Sequence, residues 1–253
     1  MRPSILPNLI QAAARNAARG YADIALFEVG PVFHEKREAA QATVAAGIRA
    51  GRRGPRHWSG RQEPVDAFDA KRDALGLLAA LGFDPAKATV DANPPAWFHP
   101  GQAGSLRLGP TALGAFGSLH PDVLEALGLD GPCVGFEIDL GAIPSARRKG
   151  TERPPLALSP FQPVTRDFAF VVDSGVKAAD IVRAAQGADK KLITAVTVFD
   201  VYEGKGIEAG KKSIAIAVTI QPREKTMTDA EIDALGQKIV ADISKRTGGV
   251  LRG

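Results

Sequence analysis

The sequence predicts an α+β protein in two parts: an antiparallel α/β module followed by a smaller domain of split βαββαβ order. Three observations predict it. The length of 253 residues is about 1.7 domains at ~150 residues each. The run Arg147-Arg148-Lys149-Gly150-Thr151-Glu152-Arg153-Pro154-Pro155, continued to Ser159-Pro160, replaces apolar periodicity with charge, proline and glycine, as stiff linkers do. The segments beyond it alternate between a two-residue and a helical apolar period. Residues 1–146 are therefore the first domain, 147–160 the linker and 161–253 the second domain. No internal repeat or low-complexity tract interrupts them.

The second domain is the more legible. Arg166 to Asp173 reads as a strand with Phe168, Phe170 and Val172 on one face. Val176 to Ala188 reads as a helix with a stripe of Val176, Ile181, Val182 and Ala185. Ile193 to Tyr202 is a strand rich in Val, Ile and Thr, and Glu203-Gly204-Lys205-Gly206 turns the chain. Lys212 to Ile220 alternates, with Ile214, Ile216, Val218 and Ile220 opposite Ser213, Ala215, Ala217 and Thr219. Thr228 and Glu231 form a capping box that opens a helix along Ile232, Leu235, Ile239, Val240 and Ile243. Gly248-Gly249 ends it, and Val250-Leu251 makes a last short strand. The order is the ferredoxin-like one. Both helices then cover one sheet face. The other carries Ser213, Ala215, Ala217 and Thr219 beside Asp167, Ala169 and Val171, a floor without the exposed aromatics on which RNA-recognition sheets stack bases.

In the first domain Ser4 caps a helix reaching about Arg19 and closed by Gly20. Ile24 to Phe33 and Thr43 to Arg49 read as strands, and Asp66 to Leu81 as a helix with Phe68, Leu75, Leu78 and Leu81 as core. Ala103 to Leu108 and Thr111 to Ser118 form a hairpin across Gly109-Pro110. A short helix follows His120-Pro121, and Val134 to Leu140 is a final strand. Short strands mixed irregularly with helices argue against a doubly wound parallel sheet.

Composition narrows the function classes. Hydrophobic residues are 45% and charged residues 24%, as in ordinary globular chains. No apolar run approaches the ~18–20 residues of a membrane helix, so no membrane role is expected. A single cysteine, Cys133, excludes disulfides and cysteine metal clusters and fits a reducing, cytoplasmic compartment. Residues 147–253 hold 18 Lys and Arg against 13 Asp and Glu, and residues 1–146 hold 14 against 15. Only the C-terminal part has the sign a polyanion partner favours, and solvated surfaces often carry such an excess too.

Motif chemistry is mostly absent. There is no G-x-G-x-x-G after a strand, no G-x-x-x-x-G-K-[ST], no G-x-S-x-G and no H-E-x-x-H; His34-Glu35 lacks a second histidine. His34, His57, His99 and His120 have no ligand spacing, so no metal is expected. His99 and His120 precede prolines and read as hydrogen-bonded turn residues. Glu28 and Glu137 lie in apolar strands, as catalytic carboxylates or as structural ones paired with a buried partner. Cys133 reads as a buried small hydrophobe. Arg49, Arg52, Arg53, Arg56, His57, Trp58 and Arg61 form either a phosphate-contacting loop with a stacking tryptophan or a hairpin tip. Lys205, Lys211, Lys212, Arg223 and Lys225 flank two adjacent strands. Such turns are expected near one rim of the sheet, where they would hold an RNA backbone or form a solvated hairpin.

These residues carry a resemblance. Ser159-Pro160-Phe161-Gln162-Pro163-Val164-Thr165-Arg166-Asp167, Val198 to Gly204, Lys211 to Ala215, Thr226 to Ile232 and Leu251 to Gly253 are similar to the ferredoxin-fold anticodon-binding domain of phenylalanyl-tRNA synthetases. Arg2 to Leu9, Leu26 to Phe33, Phe98 to Ala103 and Leu119-His120-Pro121 resemble the class II synthetase-like module of the bacterial β subunit. The matches run in the family's order along essentially the whole chain.

The resemblance implies an α2β2 heterotetramer that joins phenylalanine to its tRNA with ATP and magnesium, the active site lying in the α subunit. This chain would be the C-terminal third or so of a β subunit, without its editing and upstream domains, so that Met1 marks a truncation. The resemblance also implies a non-catalytic module. Leu26 stands where class II enzymes place an arginine on the ATP α-phosphate, and Val134 to Leu140 lacks the arginine of the final motif. The helix from Ser4 corresponds to the class II interface helix, with Ile5, Leu6, Leu9 and Ile10 expected to meet another chain or, exposed, an artificial second copy. Arg166, Lys205, Lys211, Lys212, Arg223 and Lys225 are the candidate phosphate contacts, and Asp167, Tyr202 and Ser213 the candidate base or sugar contacts on the anticodon stem-loop. No cofactor is expected in this chain itself. The alternatives are an amino-acid-binding regulatory module on a pseudoenzyme scaffold, and an enzyme using Glu28 or Glu137.

Overall fold

The computed structural model describes residues 1–33, 41–54, 56–144 and 158–252. His34, Glu35 and linker residues 145–157 lie outside them. The chain divides into two compact units, Met1–Thr151 and Glu152–Gly253.

The first unit is built on six strands, β1 (Ile24–Phe33), β2 (Gln41–Ala50), β3 (Thr89–Asp91), β4 (Phe98–Leu108), β5 (Thr111–Leu119) and β6 (Cys133–Asp139), in the order β1-β2-β6-β5-β4-β3. Every pairing is antiparallel. Three helices complete it: α1 (Leu6–Ala17), α2 (Ala67–Ala80) and α3 (Pro121–Ala126). The sheet buries both faces. Val44, Ala46, Ile48 and Ala50 alternate toward α1, with Leu119, Leu124 and Cys133 in the same cluster. Val134 and Ile138 face the other way, toward Ala70, Ala74 and Leu78 of α2. β3 is too short for its periodicity to have shown in the sequence.

Two expectations fail here for geometric reasons. Phe68 is 75% exposed. It lies two residues before Ala70, about 200° of helical arc from the buried line Ala70–Ala74–Leu78. Leu81 is also exposed, while Leu75 packs against the cluster. The second failure concerns α1. Leu6, Leu9, Ile10 and Ala13 repeat at helical spacing, and with Ile5 they are buried in the unit's own core against β2. Ile5, Leu6, Leu9 and Ile10 are thus core residues, not a surface offered to a partner or to a second copy. The outward side of α1 is Pro7, Asn8, Gln11 and Arg15.

Ser4 precedes the N-cap rather than occupying it; Ile5 is the N-cap and has no side-chain acceptor. The acceptor comes from β6. Glu137 Oε2 accepts from Ile5 N–H at 2.8 Å and from Ser4 Oγ–H at 2.8 Å, and Ser4 Oγ accepts in turn from Leu6 N–H at 3.1 Å. A carboxylate at a helix N-terminus also favours the dipole.

The second unit is β7 (Val164–Asp173), α4 (Ala178–Ala188), β8 (Ile193–Tyr202), β9 (Lys211–Ile220), α5 (Asp229–Thr247) and β10 (Val250–Leu251). Its sheet runs β10-β7-β9-β8, antiparallel throughout, which is the ferredoxin-like arrangement. Phe170, Val172, Ile214, Ile216, Val218 and Ile220 meet Ile181, Ala184 and Ala185 of α4 and Ile232, Leu235, Ile239 and Ile243 of α5. The capping box of α5 is formed, and Gly248, at φ 70°, makes the left-handed turn that closes it.

Candidate nucleic-acid interface

The face of the second sheet away from its helices follows the ladder. Thr165, Asp167, Ala169 and Val171 on β7 stand opposite Thr219, Ala217, Ala215 and Ser213 on β9. Tyr202, Asp200, Thr197 and Ala195 continue the face on β8. The centre carries no aromatic side chain, but the edge strand does. Tyr202 is exposed opposite Ser213, and Phe199, the extra residue of a β-bulge between Val198 and Asp200, is 57% exposed. The bulge breaks the two-residue period, so Asp200 and Tyr202 join Thr197 on the open face instead of following Val196 and Val198 toward the helices. Ser213 is only 4% exposed, shaded by its neighbours on β7 and β8.

The cationic candidates do not share one rim. Lys211 opens β9, whereas Arg223 and Lys225 follow its end, about 30 Å away at ~3.3 Å per residue. At the first end, Lys205 lies in the β8–β9 connection, where its carbonyl accepts from Tyr202 Oη–H at 3.2 Å. Lys211 Nζ is 2.6 Å from Glu208, and Lys212 Nζ donates to the Ser174 carbonyl at 2.7 Å. At the other end Arg223 Nε donates to the Lys191 carbonyl at 3.1 Å, and Lys225 Nζ is 2.6 Å from Glu231. Arg166 and Asp167 are consecutive and so face opposite ways. Asp167 is on the open face. Arg166 pairs with Val218 on the helix side and lines a cleft of about 520 Å³ with Phe168, Ile232, Gly236, Val240 and Leu251.

These pairings set the electrostatics. The hydrogen bond from Lys211, with its charge, holds Glu208 below the usual carboxylate range, and Lys211 is raised in return. Lys225 and then Thr228 hydrogen-bond Glu231 and bring its carboxyl down to about 2. A phosphate arriving at either lysine competes with a carboxylate already in place. Lys205 is exposed and makes no ion pair among the described residues.

In the first unit both candidate carboxylates already have partners. Glu137 caps α1, and Glu28 pairs with Arg2 at 2.6 Å. Leu26 packs against the cluster beneath α1. His99 Nδ1 accepts from Gly101 N–H at 3.2 Å and His120 Nδ1 from Asp122 N–H at 3.3 Å, as turn histidines do. Cys133 is buried, and burial pushes its thiol up to about 12. Among the described residues no group of three or more His, Cys, Asp and Glu could hold a metal ion, and no helix is long and apolar enough to cross a membrane. The sequence reading passed over one apolar surface. Phe27 (80% exposed) and Val29 lie on β1 beside Gly47 and Ala45, on the face α2 covers at β2 and β6.

The model described as the phenylalanyl tRNA synthetase beta chain CLM domain matches residues 1–140, and that of the ferredoxin-fold anticodon binding domain matches residues 159–252. The chain belongs to the phenylalanyl-tRNA synthetase β-chain family. It is 55% identical over 253 residues to the phenylalanine–tRNA ligase beta subunit of Rhodospirillum rubrum, covering 100% of this chain and 32% of that one. It is 57% identical over 258 residues to that of Bradyrhizobium diazoefficiens, with the same coverage. The chain thus spans about a third of the length of these relatives. A solved structure of a pyrrolysyl tRNA synthetase from Desulfitobacterium hafniense aligns at 18% identity and TM-score 0.40, over 56% of this chain and 47% of its own. All nine candidate RNA contacts fall within the anticodon-binding match.

Proposed function

We propose that this chain is the tRNA-holding and assembly part of a phenylalanine–tRNA ligase β subunit, working in the cytoplasm beside a catalytic α subunit in an α2β2 complex. The observation that carries this reading is the anticodon-binding match over a complete βαββαβ unit. It favours an RNA partner over an amino-acid effector. The second unit holds the anticodon stem-loop of phenylalanine tRNA. Lys205 and Lys211 take phosphates at the end where Tyr202 and Phe199 present aromatic surface, and Lys212, on the helix side of the same strand end, reaches backbone passing that edge. Arg223, Lys225 and Arg166, at the other end, would have to meet a different stretch of backbone. ATP and magnesium serve the whole complex and act on the α subunit. The first unit contributes no catalytic group, because Glu28 and Glu137 are engaged and Leu26 cannot neutralise a phosphate. Its contact with the α subunit uses the exposed Phe27 and Val29 rather than the buried face of α1.

The test is a titration of the chain, alone and with the α subunit, against a phenylalanine-tRNA anticodon stem-loop. A loop with altered anticodon bases serves as control, and each is run at two salt concentrations. Tighter, salt-weakened binding of the correct loop, and co-migration with the α subunit, is the expected outcome. Equal binding of both loops overturns base reading, no binding overturns the RNA role, and failure to co-migrate overturns the assembly role.

A further inference from the structure

The connection between β2 and α2 has a fixed root and an unpaired tip. Arg52 and Pro64 form a β-bridge. Arg53 N–H donates to the Glu63 carbonyl and Val65 N–H to the Gly51 carbonyl, each at 3.1 Å. The Arg53 guanidinium ties this root to α2, with Nη1 2.7 Å from Glu63, Nε 2.8 Å from Asp69, and Asp66 as a third partner. Asp69 is 2% exposed. Burial alone would raise its carboxyl, but hydrogen bonds from Arg53 and from the Asp66 N–H outweigh burial and hold it below the usual range. Arg49 is tied to α2 in the same way, through Asp73.

Beyond the root, Gly60 N–H reaches the His57 carbonyl at 3.4 Å and His57 Nδ1 lies 2.8 Å from Ser59 Oγ. This turn carries Trp58 at its crest, 93% exposed, with its ring tilted 35° to that of His57. Arg56 and Arg61 flank the turn, exposed and without an ion pair among the described residues. Residues 52–61 contain four arginines and no carboxylate. An indole left in water forgoes the stabilisation its burial would give. Like charges carried on one short loop, with no carboxylate among its residues, favour an anionic partner. A partner that meets both must offer closely spaced anions and flat apolar faces. Nucleic acid offers both, as phosphates for the planar guanidinium forks and bases for the indole. An acidic protein surface offers the anions but not a regular series of flat faces beside them.

We propose that the loop 52–61 is a second RNA-contacting element, placed in the first unit. Arg56 and Arg61 engage phosphates, and Trp58 stacks on an unpaired base. The inference rests on the reading of the chain as an RNA-binding part of the ligase and adds a contact outside the anticodon-binding domain.

The experiment uses the full chain with Trp97→Phe, so that Trp58 is the sole indole. Titration with a phenylalanine-tRNA transcript, and with a uridine oligonucleotide, is expected to quench its emission. Trp58→Ala, read by anisotropy of labelled RNA, weakens binding about tenfold. Arg56→Ala with Arg61→Ala lowers the slope of log affinity against log salt by about 1–2, at ~0.7–0.9 per phosphate. Lys205→Ala tests the second unit in parallel. Unchanged affinity and slope in the loop variants, with Lys205→Ala weakening binding, overturns the loop and leaves the proposed function standing. Weakening in the loop variants alone supports the loop and removes Lys205 from the phosphate contacts of the second unit. No quench by either RNA overturns the loop. An equal quench by poly-glutamate would replace RNA with an acidic protein partner.

Discussion

Helix α5 supplies its own first-turn partners, whereas α1 borrows them from across the unit. At α5, Thr228 Oγ1 accepts from Glu231 N–H at 3.3 Å and Glu231 Oε2 accepts from Thr228 N–H at 2.9 Å. Both partners lie within four residues. At α1 the equivalent service is performed by Glu137, 132 residues along the chain from Ile5. Orphan N–H groups need acceptors in both places. The difference is when those acceptors exist. The α5 box can close as soon as its first turn forms. At α1 Ser4 Oγ serves Leu6 N–H locally, but Ile5 N–H and Ser4 Oγ–H gain their acceptor only once β6 has joined the sheet beside the helix, which couples that end to the strand.

Three variants sharpen this contrast. The largest effect is expected at Glu137→Ala, which leaves Ile5 N–H and Ser4 Oγ–H without their acceptor and removes an anion from a helix N-terminus. The loss should be about 2–3 kcal/mol, read by denaturant unfolding of the first unit. A loss below about 0.5 kcal/mol would mean that water replaces the carboxylate and the coupling is absent. Thr228→Ala should cost the second unit about 1 kcal/mol, the usual worth of an N-cap hydroxyl; an unchanged unfolding curve there would show the box to be redundant. The smallest effect is set by pH. Glu231 falls from about 4.5 to about 2 on folding, so the unfolded state binds the proton more readily. Its contribution is complete above about 4.5 and is lost as pH falls toward about 2. Glu231→Gln should flatten the acid limb of a stability–pH curve for the second unit, and an unchanged limb would assign the acid sensitivity to other carboxylates.

The same contrast explains what the sequence disclosed. Thr228 with Glu231, Gly248 and the alternation from Ile214 to Ile220 are local patterns, and each was legible. So was the ferredoxin-like order, because every element of the second unit carries its own period. Glu137 in an apolar strand allowed two roles and named neither, since its partners are remote. The stripe of Ile5, Leu6, Leu9 and Ile10 announced an apolar face but not what covers it; the covering was β2 of the same unit. The lysine set misled differently. Adjacency of strands is a pattern in sequence, but the length of β9 separates Lys211 from Arg223 in space. Arg166 and Asp167 were separable from sequence, because neighbours on a strand point apart.

Cys133 gives the first unit a clock. The chain has one thiol, and it is buried at the start of β6, the strand that carries Glu137. A thiol protonated up to about 12 and shielded from solvent does not alkylate in the closed form. Each labelling event at neutral pH therefore records one opening of that strand, and its rate scales with the population of the open form. A thiol reagent on the native chain, with no engineered residue, thus reads how large a fraction of molecules has the borrowed end of α1 parted from its lender.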